Sequence, residues 1–235
     1  GGSLSVLKPD AAYPGDPGRV FWWDRLHRAF TGTARAELAL PGLPPLPLAT
    51  PEARRSGLAL LQARVKDLPY DAAMALVDEA VARLGGAGPV ERSVLSWDEL
   101  RALAAEGLTL AAHTRTHPLL TRVAPERATE EARASHDDLR REIGAALPVF
   151  AYPSGAHDDA SVAAVRAAGF EMAFTQRDGH NDLRRADLLR LCRTSITRRT
   201  TPRVLRLRLQ RWMTWVDRWR HREVPVRRAT PAVPA

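Results

Sequence analysis

From residue 95 onward the sequence alternates between amphipathic stretches and short apolar runs, each closed by Gly or Pro, and that alternation leaves few folds open. Ser96 and Glu99 form an S-x-x-E capping pattern ahead of a helix over Trp97–Glu106, which Gly107 stops. Leu108–Ala112 (LTLAA) then reads as a buried strand. The pattern predicts a long helix over Pro125–Ile143 and a second strand over Pro148–Tyr152. A helix over Ala160–Ala168, capped by Asp158 or Asp159, leads to a third strand over Phe170–Thr175 and a fourth over Leu188–Ile196. Strand and helix in turn, on connections this short, argue for a parallel α/β sheet or barrel. In such folds the chemistry gathers at the C-terminal ends of the strands.

Upstream the pattern is different. Residues 1–19 are rich in Gly, Pro and Asp and read as a loop. Phe21, Trp22, Leu26 and Phe30 fall at helical spacing in a predicted helix over Val20–Phe30. Pro41–Pro51 carries five prolines in eleven residues and excludes a helix interior. Thr50 caps a helix that runs to about Lys66, and another over Tyr70–Leu84 ends at Gly85-Gly86. The expected organisation is an N-terminal segment with a helical insertion (1–92), an α/β core (93–200), a basic amphipathic helix (201–223) and a disordered tail (224–235). The chain opens Gly1-Gly2-Ser3 without Met or a signal-peptide pattern, and the expectation is a fragment whose start says nothing of localisation.

Charge is distributed unevenly. The 235 residues carry 35 Lys+Arg against 27 Asp+Glu, a formal +8. Residues 177–235 hold 16 Arg against five acids, a net of +11, so the rest of the chain is mildly acidic. Such a basic end meets nucleic acid, acidic glycopolymer or anionic lipid, or is a solvated face. Thr201-Pro202 opens a predicted helix to about Arg222, with Leu205, Leu209, Trp212, Val216 and Trp219 as an apolar stripe among arginines. That stripe suits an anionic membrane surface or packing against the barrel. Nucleic acid has the charge alone in its favour and no motif. Cys192 is the only cysteine, which excludes a disulfide framework and an all-cysteine metal site within one chain. No run reaches the roughly 18–20 apolar residues that a membrane span needs.

Two segments at predicted strand ends carry chemistry. His113-Thr114-Arg115-Thr116-His117-Pro118 places imidazoles at i and i+4, which share one face if the segment turns helically. Imidazole suits zinc and other first-row divalent metals, although a catalytic zinc normally takes three protein ligands. The alternative is a pair of polar loop histidines. Ala151-Tyr152-Pro153-Ser154-Gly155 forms a tight loop whose backbone N–H groups can meet an oxyanion, or else an ordinary strand-to-helix turn. His157 reads as a residue at a helix start, and Cys192 as a small buried hydrophobe.

Together LSWDELRALAAEGLTLAAHTRTHPLL and FAYPSGAHDDASVAAVRAAGF resemble the polysaccharide deacetylase (NodB-homology) family, carbohydrate esterase family 4, over roughly residues 93–197. Phe21–Leu26 (FWWDRL) is also similar to a segment of some longer members. The resemblance implies a distorted (β/α) barrel and a hydrolase acting on non-peptide carbon–nitrogen bonds. It would remove N- or O-acetyl groups from an acetylated polysaccharide with a divalent metal, zinc being the expected one. It implies His113 and His117 as metal ligands and Thr116 as a hydroxyl supporting their loop. Tyr152, Pro153, Ser154 and Gly155 would line the groove, with the Ser154 N–H on the oxyanion. A cell-envelope or extracellular setting is implied in the same way.

The sequence departs from the family in two places. The T-F-D-D-G motif, which supplies a general-base Asp and an Asp metal ligand, has no match in residues 1–20. The late L-x-I-H histidine is absent from Leu191–Ile196. The catalytic base is therefore unassigned, and the expectation is a barrel incomplete at its N-terminus and inactive as this fragment. The alternative is a non-catalytic module that binds acidic glycopolymer or anionic membrane through the Arg/Trp-rich helix.

Overall fold

Apolar runs bounded by Gly and Pro become short strands in the computed structural model, which describes residues 6–7, 12–16, 19–86, 88, 94–194, 196–198 and 200–210. In chain order the elements begin with β1 (Val6–Leu7), α1 (Trp22–Gly32), β2 (Glu37–Leu38), β3 (Leu46–Pro47), α2 (Pro51–Asp67) and α3 (Tyr70–Arg83). They continue with α4 (Trp97–Ala105), β4 (Thr109–Leu110), α5 (Pro125–Ile143), β5 (Val149–Ala151), α6 (Asp159–Ala167), β6 (Met172–Asp178), β7 (Leu191–Arg193) and α7 (Pro202–Arg208).

The parallel strands form one arc. β1 pairs with β4, and β5, β6 and β7 pair in that order. A bridge between Ala112 and Phe150 joins the two sets, with Ala112 N–H donating to the Val149 carbonyl at 3.2 Å. The order is thus β1-β4-β5-β6-β7, and among the described residues β1 and β7 do not pair with each other. The fold is mixed α/β with a parallel sheet. α4, α5 and α6 cover it, and Leu100, Leu139 and Val165 from these helices pack with Phe150 and Phe170 in one apolar cluster. Each such side chain, fully buried, contributes about 1.5–3 kcal/mol.

A second apolar cluster lies among α1, α2, α3 and the β2–β3 hairpin, built on Leu26, Phe30, Leu48, Leu61 and Val77. Expected caps are in place: Thr50 Oγ1 accepts from Ala53 N–H, and Ser96 and Glu99 form a reciprocal capping box. Asp158 rather than Asp159 caps α6.

The structure also corrects the reading of several segments. The proline-rich stretch is not only a turn. Leu46 pairs with Leu38 across β2 and β3, and both are buried. The third strand starts two residues late and runs to Asp178. The fourth shrinks to Leu191–Arg193, because Asp187 Oδ1 accepts from Leu189 N–H and holds 188–190 in a 3-10 turn. Cys192 is half-buried in β7. Of the C-terminal stripe, Leu205 is half-buried and Leu209 exposed, whereas Trp212, Val216, Trp219 and the 224–235 tail lie outside the described residues. Among the described residues no helix is long and apolar enough to cross a membrane.

Candidate active site

The segment after β4 does not turn helically. Thr114 and His117 have positive φ, at 75° and 61°, and these two left-handed residues fold the loop back so that the His113 and His117 rings lie 5.2 Å apart. Such a conformation is rare for a β-branched residue and persists only where surroundings fix it. Thr114 is fully buried, and its Oγ1 accepts from His117 N–H at 3.1 Å. Two bent residues thus achieve what the i, i+4 spacing was expected to do through a helix.

Glu131 of α5 holds this loop from below and had escaped the reading of the sequence. It is 8% exposed. Its Oε2 accepts from Arg115 N–H at 2.9 Å and Thr116 N–H at 2.8 Å, and its Oε1 from the Thr116 hydroxyl at 2.6 Å. One turn-pair further along α5, buried Asp138 pairs with Arg115 at 2.9 Å and Arg141 at 2.7 Å. The signal was available: Glu131 and Asp138, seven apart, share the buried face of α5 with Ala128, Ala132 and Leu139. The Thr116 hydroxyl, expected to support the histidine loop, is thus a donor to Glu131.

His113 is oriented from the neighbouring strand. Its Nδ1 lies 2.5 Å from the Ala151 carbonyl, which can only accept, so Nδ1 carries the proton and Nε2 keeps its lone pair. Burial, and then the nearby His117, lower the His113 pKa to about 4. Burial likewise lowers that of His117 to about 4, where its ring packs edge-on to Trp23 at 4.8 Å. Both imidazoles are therefore neutral near pH 7.

These depressed values have a stability consequence. Between about pH 6.5 and about pH 4 the unfolded chain binds protons at both rings while the folded chain does not. Stability is therefore full above pH 6.5 and lost as pH falls through that window, by at most about 3 kcal/mol per ring. For chelator-treated protein, the urea midpoint is expected to fall more between pH 7 and pH 4.5 than that of the His113→Ala/His117→Ala double variant. Equal falls would remove the two rings as the cause.

The loop after β5 is only partly a groove lining. Tyr152 is fully buried and its hydroxyl donates to the Leu189 carbonyl at 3.0 Å, with burial pushing its pKa well up. Pro153 is buried as well. Neither lines the groove as expected, because the strand end places both on the core side. Ser154 is the exposed member, with φ 52°, and its N–H has no acceptor among the described residues. Gly155 has φ 68° and lies so close to Gln176 that a Cβ there would meet its backbone N at 2.5 Å. His157 Nδ1 bonds the Gly155 carbonyl at 2.9 Å, a structural contact at the start of α6.

His113, His117 and Ser154 line one cavity of about 430 Å³ together with Trp22 and Trp23 of α1 and Tyr70 of α3. A ring column running Tyr13, Phe21, Trp23 to His117, with successive centroids 4.1, 4.3 and 4.8 Å apart, ties the start of α1 to the histidine loop. Two neutral imidazoles, one with its tautomer fixed by a carbonyl, are the donors that a divalent cation takes. The two rings lie 5.2 Å apart, close enough for both to reach one ion. The residues fit such an ion as two of its ligands. No cluster of three or more His, Cys, Asp or Glu suited to a metal occurs among the described residues.

Residues 67–173 match the sequence profile of the polysaccharide deacetylase family. Among solved structures, the chain is similar to a Streptococcus pyogenes deacetylase in complex with acetate, at 23% identity and TM-score 0.47 over 52% of this chain and 53% of that one. It is similar to a Bacillus cereus polysaccharide deacetylase at 24% identity and TM-score 0.44, over 50% of this chain and 37% of that one. A de-N-acetylase from Aggregatibacter actinomycetemcomitans matches at 14% identity and TM-score 0.47, over 88% of this chain and 65% of that one. The chain thus spans less than two thirds of the length of each. No curated protein matches it. The likeness to the polysaccharide deacetylase family is carried by residues 67–173, a little under half of the chain.

Proposed function

We propose that the chain is a metal-dependent deacetylase domain that hydrolyses N- or O-acetyl groups on a carbohydrate polymer. The observation that carries this reading is the pair of neutral, buried imidazoles lining the same cavity as Ser154, whose N–H has no acceptor among the described residues. A divalent cation, zinc being the best match to this donor set, supplies Lewis acidity when bound there. His113 and His117 hold it. The Ala151 carbonyl keeps the His113 proton on Nδ1, while Glu131 and Thr114 keep the loop bent. Ser154 N–H donates to the acetyl oxygen as negative charge develops on it. Trp22 and Trp23 form a wall that limits water in the cavity. No Asp or Glu among the described residues lines this cavity, so a general base is not assigned.

Calorimetric zinc titration is expected to show one site per chain, with His117→Ala weakening it at least tenfold, in line with the weight of single groups at metal sites. Acetate released from an acetylated oligosaccharide with zinc present, and abolished by a chelator, tests the reaction itself. Zinc affinity indifferent to both His113→Ala and His117→Ala would remove the metal site.

A further inference from the structure

The cavity that holds the histidine pair has a charge that the deacetylase reading does not require. Lys66, near the end of α2, and Arg122, in the 3-10 turn after the histidine loop, both line it, and no Asp or Glu does among the described residues. Neither cation has an ion-pair partner among the described residues. Some arginines elsewhere on the surface do pair with acids, Arg127 with Asp71 at 2.8 Å and Arg190 with Asp159 at 2.5 Å. Lys66 and Arg122 therefore give this lining a positive charge of its own.

The cavity also extends beyond the histidines. A second one of about 350 Å³ shares Trp22, Tyr70 and Met74 with it and adds Arg19 and Arg25 against a single acid, Asp16. Arg25 is occupied by Asp78, and the Arg19 guanidinium lies over the Tyr13 ring at 5.8 Å. The two cavities adjoin at Trp22, Tyr70 and Met74, and this groove is lined by aromatic rings and by cations. Flat aromatic surface takes the apolar face of a sugar, and Arg and Lys take an anionic substituent on it.

We propose that this groove takes an acidic glycan, in which a sugar beside the acetylated one bears a carboxylate or phosphate that sits against Lys66 and Arg122. The assignment rests on the deacetylase reading for the acetyl group and goes beyond it in naming the class of chain. Lys66 and Arg122 are specificity-determining residues in this scheme. They distinguish glycans by charge at a distance from the bond that is cut.

Binding by calorimetry at low salt tests this with probes of matched length. Chitotetraose is N-acetylated and neutral, a hyaluronan tetrasaccharide is N-acetylated and carries carboxylates, and an oligomer of N-acetylglucosamine 1-phosphate carries phosphodiesters. One or both acidic probes are expected to bind about tenfold tighter than chitotetraose, two partly exposed ion pairs each supplying up to about fivefold. The advantage should shrink as salt rises. Whichever acidic probe shows it identifies the anionic group. In Lys66→Gln/Arg122→Gln the ratio of acidic to neutral affinity should collapse towards one, and Lys66→Arg/Arg122→Lys should restore most of it. Chitotetraose bound as tightly as both acidic probes overturns the charge preference and leaves the deacetylase reading standing. A preference that survives in the double glutamine variant overturns the assignment to these side chains. Failure to bind any of the three overturns both readings.

Discussion

Glu131→Ala is expected to lower the unfolding free energy by about 4 kcal/mol. Two backbone N–H groups and one hydroxyl converge on its carboxylate, which is 8% exposed. Truncation leaves those donors at a site largely closed to water, and each orphaned donor costs about 1–3 kcal/mol. The loss is local as well as global, because the same bonds hold Thr114 and His117 in their left-handed conformations. Glu131→Gln keeps an acceptor oxygen and should cost about 1–2 kcal/mol. Chemical denaturation gives the totals. Amide exchange at Arg115 and Thr116 reports the loop, and unchanged protection there in Glu131→Ala would show that the carboxylate is not its clamp.

Gly155→Ala is expected to cost about 3–5 kcal/mol, for a reason that no polar contact supplies. At φ 68° a Cβ is strained, and it would stand 2.5 Å from both the Gln176 backbone N and its Cβ. The backbone of β6 cannot retreat without breaking its pairing with β5 and β7. Gly107→Ala is the control, since it has φ 92° and open space around its Cβ, and there only the conformational strain of about 1 kcal/mol applies. The difference between the two urea midpoints isolates the collision. Equal midpoints would mean that the loop over β6 yields freely.

What the sequence made legible follows the range of the interactions involved. Caps at Thr50 and Ser96 depend on residues three apart, and both were visible. The position of His113 and His117 at a strand end was visible for the same reason, since Gly107, the apolar run and Pro118 are local signals. The means of bringing the rings together was not, because positive φ at Thr114 is imposed by α5 and its own buried hydroxyl rather than by any propensity of Thr. Glu131 lay within view as an acid on a buried helix face, but its partners are 15 and 16 residues away. Tyr152 was misplaced because β5 is buried along its whole length, so no alternation marks the residue after it as facing core or groove. The β2–β3 hairpin was hidden by prolines that exclude a helix and leave an edge strand open.

The two apolar clusters share no residue, and the cavity draws Trp22, Val65 and Met74 from one of them and the histidine loop that follows Ala112 of the other. Leu61 and Val77 keep the wall of Trp22 and Tyr70 in shape, whereas Phe150 and Leu139 keep the histidine loop in shape. Substitutions in one interior therefore have no packing debt to the other. A lineage can recut the wall, and with it the range of molecules admitted, while the floor of the cavity is inherited intact.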